Sequence, residues 1–563
     1  MDFKEEIVKT LSKIVKNVEL EVPSNSELGD YAFPCFPLAK EYKKNPVEIA
    51  KELVKKIPKI NGIEKIQATG PYVNFFVDRT SFTKETIANI QKEKNNYGKH
   101  KLSNEKVMVE FSQANTHKAF HVGHTRGTSL GESIARIMEF CGNKVIRANY
   151  NGDIGMHVAK WIWCYKKYHS KEKLKKDESW IASIYVDAIK RLAEKPELEE
   201  EVQEINRKLE ARDKELIKLW QITRKDSLDA FEIIYKELNT HFDEYFFESQ
   251  VEKRGKEIAK ELVKDGIADI SDGATIINFE KYNMGVWVLL RADGTVLYSA
   301  KDLALAEKKF KEHKIDKAVY VVGSEQRLHV MQIFKTLELM KFKQAKNCHY
   351  VPVNEVRLPE GKMSSRTGTN IIYSDFKNEL VEFASEKILE RDEKINKKEL
   401  EKRALAIAIA SLKYSMLKQD TNKGIIFDKE EALRFEGDTG PYLLYSYARA
   451  KSILRKAKYS NKKYELDIEP IEKELITELS RFPEVVFQSY KNLAPNEIAN
   501  YANKLSHKFN EFYHASQVIG SEKEQMRLVL VDCFSKVLKN CLYLLGISVI
   551  EEKLRGKGIT LTV

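Results

Sequence analysis

The fold is decided by the stretch Glu110-Phe111-Ser112-Gln113-Ala114-Asn115-Thr116-His117-Lys118-Ala119-Phe120-His121-Val122-Gly123-His124-Thr125-Arg126. The apolar residues 107–109 before it predict a β-strand, and the periodicity of residues 129–140 after it predicts an α-helix. A strand that leads into a helix is typical of an open α/β sheet, in which ligands bind at the carboxyl ends of the strands. The N–H groups and the dipole of the following helix favour a phosphate at this point.

Two histidines, His121 and His124, flank a small glycine turn in this stretch. One interpretation is a structural pair that packs at the helix start beneath a loop. A second is a zinc site, because His-x-x-His can converge on a metal, but the nearest cysteines, Cys141 and Cys164, lack the spacing of zinc ligands. The third interpretation, a phosphate-binding turn, requires support from the rest of the chain.

The composition is that of a globular protein. The 563 residues predict about three or four domains, and 42% hydrophobic with 32% charged residues exclude a disordered chain. The net charge of +11 favours a polyanionic partner. Scattered cysteines and a charged N-terminus without a signal peptide predict a reducing, cytoplasmic location. The apolar run 528–547 contains Asp532, Lys536 and Lys539, so it predicts a buried helix rather than a membrane span.

Three domains are expected from the pattern. Residues 1–100 predict a small α+β domain, residues 101–400 a Rossmann-like α/β domain with a parallel sheet and a helical insertion at about 165–235, and residues 401–563 an all-α helix bundle. The continuous apolar run 318–323 is typical of a buried parallel strand. A hairpin is predicted with strands at 286–291 and 295–298. Beyond about residue 400 no strand pattern is found, and one helical face comprises Ile498, Tyr501, Ala502, Leu505, Phe509 and Phe512.

Tyr72, Asn74 and Phe76 alternate along a predicted strand of the first domain and share one of its faces. This face either packs beneath a helix or offers a stacking surface to bases of a single-stranded RNA loop. The residues alone leave both interpretations open.

Two basic segments belong to the α/β domain. One is the His121 turn, and the other is the glycine-bounded loop Gly361-Lys362-Met363-Ser364-Ser365-Arg366-Thr367-Gly368. The chain has no Walker loop and no Gly-x-Gly-x-x-Gly after a strand, which disfavours P-loop NTPases and dinucleotide enzymes. Two basic segments at one sheet edge could hold a triphosphate. Adenylyl transfer needs little else, because positioned donors and cations stabilise the charge that grows on the phosphates.

These segments resemble a known family. His121-Val122-Gly123-His124 is similar to the HIGH motif of class I aminoacyl-tRNA synthetases, and Lys362-Met363-Ser364-Ser365-Arg366 is similar to their KMSKS loop. The surrounding residues resemble arginyl-tRNA synthetases over essentially the whole chain. The further matching segments include Asn149-Tyr150-Asn151-Gly152-Asp153, Leu297-Tyr298-Ser299-Ala300-Lys301-Asp302-Leu303-Ala304, Gln326-Arg327-Leu328-His329 and Gly437-Asp438-Thr439-Gly440-Pro441-Tyr442.

The resemblance implies an activity and its substrates. Arginine and ATP would form arginyl-adenylate, and the arginyl group would pass to the 2′-hydroxyl of the terminal adenosine of arginine tRNA. Bound tRNA would be needed for efficient activation. Magnesium would accompany ATP, no structural metal is expected in the protein, no membrane partner is expected, and the family default is a monomer.

The resemblance also implies residue roles. The expected ATP contacts and catalytic groups are His121, Gly123, His124, Lys362, Met363 and Ser364. The expected arginine contacts are Glu110, Gln113 and Asn115 at the α-amino and carboxylate end, and Tyr298, Asp302 and Gln326 at the side chain. A guanidinium suits the latter group because its rigid fork of donors requires acceptors.

The cationic loop departs from the class pattern. Ser365 stands where the motif has its second lysine. Arginyl-tRNA synthetases often carry a lysine just before the first histidine instead, and Lys118 occupies that place. Our hypothesis is that Lys118 substitutes for the missing catalytic cation.

The family also assigns the two terminal domains to tRNA. Residues 1–100 would bind the tRNA elbow, where the D-loop lies, through Tyr72, Asn74 and Phe76, and the C-terminal bundle would bind the anticodon, with Tyr442 and Arg449 as candidate contacts. The alternatives are another class I synthetase and a non-catalytic, synthetase-like tRNA-binding protein.

Overall fold

A computed structural model describes residues 3–23, 28–359, 372–390, 392–459 and 464–549. The chain divides into two compact units. The first contains residues 1–97, 450–481 and 508–537, and the second contains residues 98–449, 482–507 and 538–563.

The described strands, numbered in chain order, are β1 Tyr31–Pro34, β2 Ile63–Thr69, β3 Tyr72–Val77, β4 Lys106–Glu110, β5 Lys144–Asn151, β6 Glu244–Phe247, β7 Asp269–Ser271, β8 Ala274–Asn278, β9 Val286–Leu290, β10 Lys317–Gly323, β11 Cys348–Val353, β12 Val356–Arg357 and β13 Ile425–Ile426. The described α-helices are α1 Phe3–Leu11, α2 Phe36–Tyr42, α3 Pro46–Lys56, α4 Arg79–Glu93, α5 Val122–Phe140, α6 Met156–Cys164, α7 Glu178–Glu194, α8 Glu199–Glu210, α9 Lys214–Glu237, α10 Glu248–Lys264, α11 Tyr298–His313, α12 Arg327–Leu339, α13 Tyr373–Leu389, α14 Lys397–Leu417, α15 Lys429–Ala432, α16 Gly440–Lys456, α17 Pro470–Ser480, α18 Phe482–Asn492, α19 Pro495–Ala515 and α20 Glu524–Leu544.

The first unit contains a three-stranded antiparallel sheet in the order β1-β3-β2. Val73, Phe75 and Val77 of β3 are fully buried, because alternate side chains of a strand point to one face and α3 packs there. The opposite face of β3 carries Tyr72 and Phe76. The predicted alternation is therefore seen for the two aromatic residues, whereas Asn74 of the same predicted face is only 3% exposed.

The second unit is built on a five-stranded parallel sheet in the order β11-β10-β4-β5-β6. Strands β5 and β6 lie on one side of β4, and β10 and β11 lie on the other. The strand order therefore reverses beside β4, which is where open α/β sheets form their ligand crevice. The multidomain fold class, with a Rossmann-like parallel sheet, an N-terminal domain and a helical C-terminal region, is confirmed.

Helices α6 to α9 form the helical insertion between β5 and β6, with a hydrophobic core of their own. This core contains Trp161, Ile184, Val202 and Trp220. A π-helical turn, Tyr165–His169, directly follows α6. The charged residues of this segment therefore cover a packed core.

Three details of the sequence prediction were wrong. Helix α5 begins at Val122 rather than near residue 129, because His121 caps it. The predicted second strand at 295–298 is reduced to one bridge between Leu290 and Val296, since α11 begins at Tyr298. A short strand, β13, occurs beyond residue 400 and pairs with β12. Such isolated two-residue pairings leave no periodic signal in a sequence.

The buried helical faces of the C-terminal region agree with the prediction. The residues of the predicted helical face are each at most 5% exposed: Ile498, Tyr501, Ala502, Leu505, Phe509 and Phe512. Helix α20 is likewise lined by buried apolar residues. Within the described ranges, no helix is long and apolar enough to cross a membrane.

Helix α5 passes through the interior of the second unit and buries charged side chains. Glu132 is fully buried and pairs with Arg136 at 2.6 Å and with Arg147 of β5 at 2.9 Å. Arg147 also makes a two-pronged contact with Glu139, at 2.7 and 2.9 Å. Each buried charge thus has partners, as burial in a low-dielectric interior requires.

Two glycines of α5 give a matched test of its packing. A Cβ at Gly131 would overlap the buried Phe111 side chain, whereas one at Gly127 would meet only Val353 Cγ2, at 3.9 Å. We expect Gly131→Ala to destabilise the protein by about 1–3 kcal/mol through overpacking. Gly127→Ala should be neutral or stabilising by up to about 1 kcal/mol, because alanine favours helix. Urea unfolding monitored by fluorescence measures both, and equal midpoints for the two variants would contradict this packing.

Candidate active site

The carboxyl ends of neighbouring parallel strands meet at one edge of the sheet, and two loops there are bonded together. Asn151 Nδ2 donates to the Ala114 carbonyl at 2.6 Å, and the Thr116 N–H donates to the Gly152 carbonyl at 3.0 Å. The Gln113 N–H donates to Asn149 Oδ1 at 3.2 Å. The end of β5 therefore fixes the course of the chain between β4 and α5.

This loop has an unusual backbone. Ser112, Gln113 and His117 have φ values of 78°, 50° and 63°, a left-handed region that costs free energy for residues other than glycine. His117 is fully buried, and its ring nitrogens lie 3.0 Å from Thr116 Oγ1 and 2.8 Å from Thr223 Oγ1. Three strained residues within six positions persist only because such tertiary bonds hold them.

His121 and His124 form a reciprocal pair at the start of α5. The His121 N–H donates to His124 Nδ1 at 3.2 Å, and the His124 N–H donates to the His121 carbonyl at 2.9 Å. The rings stack with centroids 3.8 Å apart. Nδ1 of His124 is thus an acceptor, so in the neutral ring Nε2 carries the proton and can donate it to an anion.

Burial and the nearby Lys118 ammonium keep this pair neutral. They lower the pKa of His121 to about 4. The pKa of His124 is lowered well below its ordinary value by burial, by His121 and by Lys118. The interpretation as a helix-start pair therefore describes the local structure, and it is compatible with donation from His124 Nε2 to a phosphate.

Gly123 lies beneath the His121 ring. A Cβ at this position would come within 3.0 Å of two His121 ring atoms. Glycine is therefore needed here for the ring itself to lie against the backbone.

The backbone of Phe120 joins this turn to two other elements. Its N–H donates to Glu178 Oε1 of α7 at 2.9 Å, and its carbonyl accepts from the Tyr373 N–H of α13 at 2.8 Å. Glu178 Oε2 also accepts from Ser374 Oγ at 2.8 Å. Burial raises the pKa of Glu178 to about 7, although the two hydrogen bonds lower it.

Lys118 is half-buried near this turn. Its ammonium lies 5.5 Å from the centroid of the Tyr185 ring. Burial lowers the pKa of Lys118, the carboxylate of Glu248 raises it, and Lys160 lowers it. Lys362, Met363 and Ser364, which the sequence predicts to bind ATP, lie outside the described residues.

The residues predicted for the amino acid's backbone end lie on the same loop. Glu110, at the end of β4, is buried and pairs with the buried Lys309 of α11. Gln113 Nε2 is buried and makes no hydrogen bond to any residue that the structure describes. Asn115 lies so close to Gly152 that a Cβ there would overlap Asn115 Oδ1.

The residues predicted for the guanidinium lie at the start of α11 and before α12. Tyr298 is 60% exposed and Gln326 is exposed. Asp302 Oδ2 lies 2.6 Å from His329 Nε2. Burial raises the pKa of Tyr150 well above its ordinary value, and the carboxylates of Asp302, Glu248 and Glu110 add to this effect. Three carboxylates therefore lie near one tyrosine, and two of them, Glu110 and Glu248, are already paired with lysines.

Several residues of this region were not found from the sequence. They are Glu178, Glu248, Lys309, Trp287 and His329. Glu248 stands directly after β6, and its Oε2 lies 3.3 Å from Lys301 Nζ. Its position at a strand end was the one feature of the sequence that could have indicated it. The others act through contacts between elements, which spacing along a chain does not show.

The residues predicted to contact tRNA are partly buried. On β3, Asn74 is only 3% exposed, while Tyr72 packs edge-on against the exposed Phe36 and Phe76 lies 5.1 Å from the Lys65 ammonium. The exposed parts of this face thus combine aromatic rings with a cation.

On α16, Tyr442 is 7% exposed, and its hydroxyl lies 3.3 Å from His507 Nδ1. Arg449 is half-buried, with its guanidinium over the Tyr445 ring at 4.6 Å. Tyr442 is therefore largely a core residue, whereas Arg449 retains exposed surface.

One cluster of possible metal ligands occurs among the described residues, in the helical insertion. Cys164, His169 and Asp187 bring ligand atoms within 4.8 Å of one another. Asp187 Oδ2 already accepts from Cys164 Sγ at 3.4 Å and Arg191 Nε at 2.7 Å, and lies 2.9 Å from His169 Nε2. This is a hydrogen-bond network that is satisfied without an ion.

Comparison with known families covers most of the chain. Residues 86–429 match the family described as tRNA synthetases class I (R), catalytic domain. Residues 443–552 match the DALR anticodon binding domain, and residues 1–77 match the arginyl tRNA synthetase N terminal domain.

Individual relatives agree with this assignment. Arginine–tRNA ligases of Clostridium acetobutylicum and Halothermothrix orenii are 39% and 34% identical to the chain, and each alignment covers 98% of the chain and 100% of the relative. The Thermus thermophilus arginyl-tRNA synthetase structure matches with a TM-score of 0.84 and 26% identity, over 97% of this chain and 98% of that one. The Plasmodium falciparum arginyl-tRNA synthetase, at 22% identity, shares the fold with a TM-score of 0.80 over 98% of both chains.

The raised pKa of Glu178 predicts a pH-dependent stability effect. The carboxyl titrates near 4.5 when unfolded and at about 7 when folded, so its ionisation destabilises the folded protein increasingly between these pH values. Glu178→Gln, which resembles the protonated acid, should match wild type at pH 4.5 and be more stable by about 3 kcal/mol at pH 8. Thermal unfolding at both pH values measures the difference. Glu200→Gln, an exposed change on α8, is the control, and parallel pH profiles for wild type and Glu178→Gln would refute the prediction.

Proposed function

The chain belongs to the arginyl-tRNA synthetase family, and on that premise we propose how its residues carry out arginine–tRNA ligation. Arginine reacts with ATP to form arginyl-adenylate and pyrophosphate. The arginyl group then passes to the 2′-hydroxyl of the terminal adenosine of arginine tRNA. The observation that carries the proposal is that the start of α5, with His121 and His124, and the carboxylates of Glu110 and Asp302 near Tyr150 lie at the carboxyl ends of the parallel strands.

The first step is an in-line displacement. A carboxylate oxygen of arginine attacks the α-phosphorus, the new P–O bond forms, and the bond to pyrophosphate breaks. No protein nucleophile is needed, so orientation and charge stabilisation provide the catalysis. In our proposal ring N–H groups of His121 and His124 donate to the phosphates of ATP, and Gly123 allows the adenine to lie close to the backbone.

Cations complete the phosphate site. We assign this role to Lys118 and Lys362. Lys118 lies near the histidine pair, because its charge lowers the pKa of both histidines. Met363 and Ser364 are assigned to ATP by their place in the motif. Magnesium would arrive bound to the ATP phosphates.

The arginine pocket in our proposal has two ends. Glu110, Gln113 and Asn115 bind the α-amino and carboxylate groups. Tyr298, Asp302 and Gln326 accept hydrogen bonds from the guanidinium, and the carboxylate of Asp302 supplies the opposite charge.

The terminal domains bind tRNA in this proposal. Residues 1–100 bind the elbow through Tyr72 and Phe76, with Asn74 between them, and residues 401–563 bind the anticodon, with Tyr442 and Arg449 as candidates. Residues 101–400 form the catalytic domain. The protein acts as a cytoplasmic monomer.

Exchange of labelled pyrophosphate into ATP tests the activity. We expect exchange that depends on arginine and rises strongly when arginine tRNA is added. Exchange supported by a different amino acid would identify another class I synthetase. Absence of exchange with arginine and tRNA together would indicate a non-catalytic tRNA-binding protein.

The role of Lys118 has a test of its own. Lys118→Ala should lower kcat/KM for arginine-dependent exchange by about 100-fold or more, because a cation at the transition-state phosphate contributes several kcal/mol. The control is Lys160→Ala, since Lys160 lowers the pKa of Lys118 but is paired with Glu199 at 3.2 Å. A decrease of less than about twofold for Lys118→Ala would remove Lys118 from the catalytic site.

A further inference from the structure

Three side chains from different elements form a chain of hydrogen bonds that ends at Asp302. Trp287 Nε1 of β9 donates to His329 Nδ1 of α12 at 3.2 Å. His329 Nε2 lies 2.6 Å from Asp302 Oδ2 of α11. Trp287 is 5% exposed, and the side chains of His329 and Asp302 are 13% and 21% exposed.

The indole fixes which nitrogen of His329 carries the proton. An indole N–H can only donate, so Nδ1 of His329 must accept and is unprotonated. A neutral imidazole then carries its hydrogen on Nε2, which faces Asp302. The contact at 2.6 Å is therefore a donation from the histidine to the carboxylate.

Aromatic rings hold the imidazole in this orientation. The Tyr298 ring packs edge-on against His329 with centroids 4.7 Å apart, and the Trp287 ring lies at 5.5 Å. One oxygen of Asp302 is thereby engaged, and the plane of its carboxylate is set. A neutral donor also leaves the negative charge of Asp302 undiminished.

We propose that His329 is a positioning residue for arginine recognition, which presents Asp302 to the guanidinium and is kept in its donor tautomer by Trp287. This inference rests on the proposed function, in which Asp302 binds the arginine side chain. The rigid, planar guanidinium requires an acceptor of fixed orientation. A carboxylate free to rotate would lose affinity for arginine without affecting the phosphate site.

Two conservative substitutions at one position separate hydrogen bonding from simple packing. The amide nitrogen of glutamine reaches approximately the place of histidine Nε2, whereas that of asparagine reaches only the place of Nδ1. His329→Gln should therefore retain the donor to Asp302, and His329→Asn should lose it. Trp287→Phe keeps the imidazole but removes the group that fixes its tautomer.

The readout is the KM for arginine and for ATP in pyrophosphate exchange, with the full-length protein and tRNA present. We expect His329→Asn to raise the arginine KM by about tenfold or more, the range for losing a hydrogen bond to a charged group. The ATP KM should stay within about twofold of wild type. His329→Gln should restore most of the arginine affinity, and Trp287→Phe should give an intermediate arginine KM.

Other results would overturn the proposal. An unchanged arginine KM for His329→Asn, or equal losses for the glutamine and asparagine variants, would show that the hydrogen bond does not matter. A parallel rise of both KM values would indicate a general structural role. Should His329→Asn fold poorly, as judged by its thermal midpoint, Trp287→Phe carries the test, and a wild-type arginine KM for it would refute the tautomer argument.

Asp302→Asn distinguishes failure of this inference from failure of the proposed function. A large rise in the arginine KM for Asp302→Asn, with no effect of His329→Asn, would reject only the positioning role. No effect of Asp302→Asn would instead reject the assignment of Asp302 to the arginine pocket. Absence of arginine-dependent exchange in the wild-type protein would reject the proposed function as a whole.

Discussion

The backbone of Phe120 is the constraint on which the site depends. Its N–H and carbonyl are buried and must find partners, because an unpaired buried peptide group costs as much as a lost hydrogen bond. Glu178 supplies the acceptor and Tyr373 supplies the donor. The turn that carries His121 is thereby attached to an insertion helix and to the first residues of α13. Three segments that are remote in sequence are thus joined at the residue that precedes the histidine pair.

The part of the site around His121 and His124 and the part around Tyr150 carry different charges. On the phosphate side, burial keeps His121 and His124 neutral, so they can donate hydrogen bonds without carrying charge into the interior. The positive charge there comes from Lys118 among the described residues. On the other side, carboxylates are gathered around Tyr150. A neutral donor pair beside a concentrated cation suits a polyphosphate, and the carboxylates suit a guanidinium.

The sequence was sufficient to predict the parallel sheet, the strand-end loops and the buried helical faces, because each of these is periodic or local. It failed where tertiary pairing decides the outcome. Residues 295–298 have strand-like composition, yet α11 begins at Tyr298 and leaves only one bridge. Strand β13 is two residues long and exists only because β12 pairs with it. The motif residues could be identified in advance, whereas Glu178 carries no signature of its own, and His329 stood in a matching segment without an assigned role because its contacts join separate elements.

Helix α11 contributes two charged residues, and the residues that contact them differ. Asp302 and Lys309 are seven residues apart, so they lie on the same side of the helix, two turns from each other. Lys309 pairs with Glu110 inside the protein, and this pairing cancels the charge of the carboxylate at the end of β4. Asp302 instead lies within hydrogen-bond distance of His329, whose Nδ1 accepts from the Trp287 indole. In our proposal, selectivity for a cationic side chain therefore depends on Asp302 rather than on Glu110, although the sequence presents both as acids at strand or helix ends.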